Sequence, residues 1–409
     1  MAHSGSDDIG EVIDLDSTQL VPHQGEDESD AGGLLAGFKA SIGSRDWTVE
    51  TLLSQMRKGR IDLDPSFQRR NAWLDNRKSK LLESIMLGFP IPQIVLAEKR
   101  DAPGYFFVLD GKQRLLALRQ FFADPDDPRD AHFVPLRLTG LEVLTELNRK
   151  DVDSLAESYP EWLARIENHS IRTVALSDWS SENLLLSLFL RLNTGSVALS
   201  PQELRQALIP GEFVKWLDQA SGDLQGLRRL LNNEHPDRRM IDAELLLRHL
   251  SFASSPYRYS GNLKVFLDET SRFFNQNWEK HVDLATQEAS DYNEALNTGL
   301  EMWGTSFARK WVPDPARGAA RFERALNRAL LDVQAYSLKF PNVRSAVQAD
   351  PYGVLDRFKS ACESDTFVRS ISTTTKTAEA FITRHRVWSQ VLSESVQAGY
   401  PMPEPLKRS

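Results

Sequence analysis

The stretch YFFVLDGKQRLLALRQFF, from Tyr105 to Phe122, decides how this chain is read. Tyr105 to Leu109 are aromatic or aliphatic and suit a strand, Asp110-Gly111 suits a turn, and the leucines that follow recur at helical spacing. A helix that starts where a strand ends presents its first amides and the positive end of its dipole to whatever lies beyond. Lys112, Gln113 and Arg114 add donors at that point. Arg114 can grip a phosphate with two parallel hydrogen bonds, Lys112 supplies a point charge, and Asp110 can orient an arginine or reach Mg²⁺ through water. Taken by itself, an Asp-Gly turn with a basic neighbour is common, and a plain turn accounts for it as well.

Working outward, DWTVETLLSQMRKGRIDL predicts a helix capped by Thr48 and stopped at Gly59, then a strand through Ile61 and Leu63. A second helix around Lys78 to Leu87 ends at Gly88 and Pro90, and Pro92 leads into a strand from Gln93 to Glu98. FVPLRL and IRTVAL are expected to be further strands, separated by a helical segment containing LARIENH. The N-terminal unit is thus mixed, with about five short strands. From Ser181 onward every segment carries helical periodicity and none suggests a strand. The expected fold class is α+β, arranged as a tail over residues 1–40, a mixed domain over 41–195 and an all-helical domain over 196–409.

The totals set limits. At 409 residues the chain is long for a single core, and 26% charged with 41% hydrophobic residues is ordinary for globular proteins. One cysteine, Cys362, excludes an internal disulfide framework and fits a reducing compartment. No secretory signal and no run of membrane-spanning length is evident, so a cytoplasmic location is expected, with no membrane partner. The net charge of −8 owes everything to residues 1–37, which hold nine acids and no lysine or arginine; without those nine the chain carries +1. That segment is expected to be disordered and solvating, although IGEVIDLD within it has the alternation of a docking peptide.

Two further segments concentrate polar groups without a clear period. In DPSFQRRNAW, Asp64, Gln68, Arg69, Arg70 and Asn71 lie between the anchors Phe67 and Trp73, which suits either a site loop or a solvated one. In RLNTG, Arg191, Asn193, Thr194 and Gly195 leave a helix through a turn that serves equally as a cap or a site. Ser200-Pro201-Gln202-Glu203, just beyond, is a capping box with proline at the first helical position.

Together PSFQRRNAW, LLESIMLGFPIPQIVLAE, the opening stretch and LFLRLNTGSVALSPQELRQAL resemble, in order, the N-terminal domain of GmrSD-type restriction endonucleases, a prokaryotic family related to the ParB and sulfiredoxin fold. The resemblance covers residues 45 to 210 and implies a ParB/sulfiredoxin-like domain that binds and hydrolyses a nucleoside triphosphate with Mg²⁺ in defence against foreign DNA, alongside a partner protein. The family's Asp-Gly-Gln-Gln-Arg pattern falls on Asp110, Gly111, Gln113 and Arg114, with Lys112 where the family usually has glutamine. The family's Gln-Arg pair falls on Gln68 and Arg69, and the site expected from these residues together has Asp110, Gln113 and Gln68 in catalytic roles, Gly111, Lys112, Arg114, Arg69, Arg70 and Asn193 in nucleotide contacts, and Asp110 as the metal ligand. A lysine at 112 adds charge for a phosphate and also takes room beside a catalytic water. Two-part enzymes of the family add a His-Asn-His nuclease domain; His249, His281 and His385 stand singly on helical stretches, so no nuclease is expected in this chain. The competing reading is a DNA- or partner-binding module without enzymatic activity, using the same arginines on phosphates and Arg384, Arg386 and Trp388 as a basic, aromatic contact.

Overall fold

A computed structural model describes residues 40–63, 73–131, 133–179, 185, 200–237, 239–314, 319–373 and 375–406. The N-terminal part is built on a five-stranded mixed sheet. In chain order its elements are β1 (Ser41–Thr48), α1 (Val49–Arg57), β2 (Ile61–Asp62), α2 (Asp75–Met86), β3 (Ile94–Lys99), β4 (Ala102–Asp110), α3 (Lys112–Phe121), α4 (Val152–Ser158), α5 (Pro160–Asn168) and β5 (Ser170–Ser177). The strands lie in the order β1-β5-β3-β4-β2, with β5 parallel to β3, β2 parallel to β4, and the other two pairings antiparallel.

The central strands explain why their sequence reads as an unbroken apolar run. Ile94 and Leu96 of β3 enter one core with Val108 of β4 and the inner faces of α1, α2 and α3, while Val95 and Ala97 enter a second core with Leu109 on the opposite face. A strand buried on both sides has no polar face to alternate with. The helix α6 (Pro201–Leu208) supplies Leu204 to the second core.

Helix starts follow their caps. Thr48 accepts from the Thr51 amide at 3.2 Å, and the capping box at Ser200 and Glu203 is formed in both directions. Two strand expectations change. FVPLRL is not a strand: Pro135 removes a ladder donor, Leu136 and Leu138 are buried, and the Leu138 amide bonds the Lys150 carbonyl instead of a strand. In its place β1 completes the sheet; it is an edge strand exposed along most of its length, so its polar sequence SIGSRDWT shows no buried face.

The C-terminal part is assembled from α7 (Glu212–Asp223), α8 (Gln225–Leu231), α9 (Ile241–Ser254), α10 (Leu263–Gln276), α11 (Trp278–Trp303), α12 (Arg328–Leu338), α13 (Pro341–Ala349), α14 (Pro351–Ala361), α15 (Asp365–Ser372) and α16 (Ala378–Val396) around one large core. It is not wholly helical. β6 (Trp311–Asp314) and β7 (Ala319–Phe322) form an antiparallel ribbon in which Trp311 sits edge-on to Phe322 at 4.8 Å. Four-residue strands are too short for period-two patterning to stand out.

One anchor behind the sheet is electrostatic. The Glu83 carboxylate of α2 accepts from the amides of Val143 and Leu144 at 2.8 Å each and of Glu142 at 3.2 Å. Burial pushes this carboxyl up, but the three amides and Lys80 outweigh it and hold the group below the ordinary glutamate range. Its folded pKa is therefore lower than its unfolded one. The stabilisation is fully present above the unfolded value of about 4.3 and is lost as pH falls through the folded value. Glu83→Gln is expected to cost about 1–3 kcal/mol at pH 7, and the gap to wild type in urea melts should close below about pH 4. A gap that is constant with pH would remove the charge from this account.

Candidate functional site

The corner after β4 begins with a register shift. Val95 pairs with Asp110 but Leu96 pairs with Val108, so β4 carries an extra residue just before the turn. Such a bulge re-aims the residues beside it. Gly111 follows at φ 93°, ψ 10°, in the left-handed region, and serves as the cap of α3. A Cβ there would lie 2.9 Å from Ile94 Cγ1 and 3.0 Å from Arg114 Nη2, so both the backbone angle and the space require glycine.

Arg114 curls back over this glycine. Its Nη2 donates to Asp110 Oδ2 at 2.8 Å and to the Gln93 carbonyl at 3.1 Å, tying the start of α3 to the ends of two strands. Arg114 Nε and Gln113 Oε1 are buried without a hydrogen-bond partner among the described residues. A native interior leaves few such groups, and where they cluster a missing partner is the usual reason. The first turn of α3 contains no acid, and its glycine cap has no side chain to offer. This helix start therefore keeps its positive character.

Lys112 stands beside Gly111 at the start of α3. It is buried, and its charge acts on Glu203 of α6. Burial raises Glu203 above the usual carboxylate range, while Lys112, the Ser200 amide and Arg239, whose Nε lies 3.6 Å away, pull it back. The capping box was visible in the sequence; its meeting with a lysine 91 positions earlier was not, because no local signal links them. The Gln93 carbonyl that receives Arg114 was equally hidden, since a backbone acceptor leaves no mark on side-chain pattern.

Of the residues singled out from the sequence, Asp110, Gly111, Lys112, Gln113 and Arg114 share this corner, whereas Gln68, Arg69, Arg70 and Asn193 lie outside the described residues. Among the described residues no group of three His, Cys, Asp or Glu side chains is placed to hold a metal ion. A single carboxylate at the corner fits Mg²⁺ that arrives on phosphates, since that ion needs only one or two protein carboxylates. The basic contact expected at the C-terminus is corrected. Arg384 and Trp388 are buried, with the Arg384 guanidinium donating to the carbonyls of Ser370 and Thr375 and the Trp388 indole to Ser337 Oγ, which leaves Arg386 exposed alone. His249 stacks on Tyr292 at 4.3 Å, and His385 is buried against Tyr400. Burial pushes the Cys362 thiol up to about 11, so it stays protonated at neutral pH.

No helix among the described residues is long and apolar enough to cross a membrane. The sheet, with helices on one face, α6 on the other and a glycine-led corner at the end of β4, forms a mixed α+β domain. Residues 49–210 match the family described as GmrSD restriction endonuclease, N-terminal domain. No curated protein and no solved structure matches the chain.

Proposed function

We propose that the chain binds and hydrolyses a nucleoside triphosphate at the Asp110–Arg114 corner, and through it regulates a partner or a DNA transaction in a prokaryotic restriction or anti-phage system. The observation that carries this reading is the left-handed Gly111 opening a helix that has no side-chain cap, with buried Arg114 Nε and Gln113 Oε1, unpartnered among the described residues, beside it. Helix-start amides and an arginine are suited to phosphate oxygens, and a buried glutamine carbonyl to the proton of a bound water. Asp110 positions Arg114 and lends its carboxylate to the Mg²⁺ that neutralises phosphate charge. Lys112 contributes positive potential from within the first turn of α3. The restriction system enters through the family's name.

Calorimetry with the four Mg²⁺-nucleotides is expected to detect binding, and phosphate release to follow it. Arg114→Ala should weaken that binding by about 2–5 kcal/mol, since it strips one side of a buried charge contact. Undiminished binding by that variant would sink the assignment. The burial of Arg384 and Trp388 leaves the DNA-module reading without two of its three C-terminal contacts.

A further inference from the structure

Helix α6 is an unusual linker. A surface helix buries one stripe, but Gln202, Glu203, Leu204, Arg205 and Gln206, five successive residues, are each no more than 5% exposed. Four of the five are polar, so each needs a buried partner. The partners lie on two sides. Leu204 packs with Val95 and Leu109 on the sheet, and Arg239 Nε lies 3.6 Å from Glu203 Oε2. Arg205 faces the C-terminal helices, where its Nε donates to Asp268 Oδ1 at 2.7 Å, with Lys264 Nζ on Asp268 Oδ2 at 2.5 Å. Asn275 of the same helix α10 donates to the Ile209 carbonyl at 3.1 Å, just past the end of α6.

These contacts resist sliding. A buried ion pair cannot stretch without stranding a charge, so a rigid eight-residue helix pinned at both sides moves with either of them. Leu109, on which Leu204 packs, immediately precedes Asp110 and the glycine turn that would hold phosphate. We propose that α6 couples the corner to α10, with Leu204, seated on Leu109 beside Asp110, as the handle on the site and Arg205 as the handle on the C-terminal helices. The proposal rests on the nucleotide reading above and assigns regulation of that site to one helix.

Hydrogen exchange on the full chain tests it. Mg-ATP, Mg-GTP, Mg-CTP or Mg-UTP, whichever binds, should slow exchange at residues 111–116 and, by about fivefold or more, across Leu263–Gln276. Leu204→Ala should keep the first effect and lose the second. Protection at the corner with α10 unchanged in wild type overturns the coupling and leaves nucleotide binding intact. Failure of all four nucleotides to protect the corner removes the nucleotide reading, and a ligand-free arm then decides the coupling, because coupling is reciprocal. Without nucleotide, Arg205→Met and the milder Asp268→Asn should speed exchange at 111–116 by a similar factor while Ala378–Val396 stays unchanged. Unaltered corner amides in both variants, or an equal rise in Ala378–Val396, overturns it.

Discussion

Asp130→Ala should lower the unfolding free energy of the N-terminal part by about 3–5 kcal/mol, the cost of leaving a buried cation without its partner. The side chain of Asp130 is wholly buried, and its two oxygens are shared among three donors. Oδ1 accepts from Arg119 of α3, while Oδ2 accepts from the Asp124 amide at 2.9 Å and from Arg57 of α1 at 3.5 Å. Arg119 also lies over the Phe133 ring at 4.6 Å and donates to the Arg129 carbonyl at 3.2 Å. Burial pushes its guanidinium down to about 10, which still leaves it charged at neutral pH. Alanine would strand that charge and free the loop that follows α3. The double variant Arg119→Met with Asp130→Leu should recover much of the loss, because it removes the charges together. Chemical denaturation followed by tryptophan fluorescence reads both, and an Asp130→Ala protein within about 1 kcal/mol of wild type would contradict the burial of the pair.

Gly111→Val should cost on the order of 2–5 kcal/mol and abolish binding at the corner. Part of that cost is the left-handed backbone, which a β-branched residue adopts only under strain of about 1–3 kcal/mol. The rest comes from forcing Ile94 or Arg114 aside, since the added Cβ would lie 2.9 Å and 3.0 Å from their atoms. Displacing Arg114 also breaks its link from Asp110 to the Gln93 carbonyl, so the ends of β3 and β4 lose their tie. Gly111→Ala should show the same pattern in weaker form. A valine variant with an unchanged melting temperature would mean that the turn has an ordinary conformation.

Local chemistry made much of this fold legible. Thr48, Gly59 and the Ser200 capping box are explained by the few residues around them, and α1 and α6 start where those caps stand. β3 and β4 were legible because burial on both faces leaves a continuous apolar run. β1 was not, since an exposed edge strand needs no buried face; FVPLRL misled because its alternation reflects packing without a ladder. At the site, the glycine and the arginine were legible from the Asp-Gly-x-x-Arg spacing, which a left-handed cap and an i,i+4 ion pair explain. The bulge beside Asp110 depends on register against another strand, and the carboxyl on which the Lys112 charge acts stands 91 residues later. Neither is encoded within a window that periodicity can scan.

The two-sided burial of α6 bears on how the molecule is made. A ribosome releases the sheet first, but Leu204 is one of the residues that cover its second face, with Trp179 and Leu185, and the arginine beside it pairs with Asp268. Until α10 has left the exit tunnel, that arginine lacks the Asp268 carboxylate, which disfavours burying it. The α6 share of that cover therefore docks late in synthesis, after roughly sixty more residues are added, a matter of several seconds at ordinary elongation rates. A fragment cut at residue 210, where the family match ends, would be held at that unfinished stage.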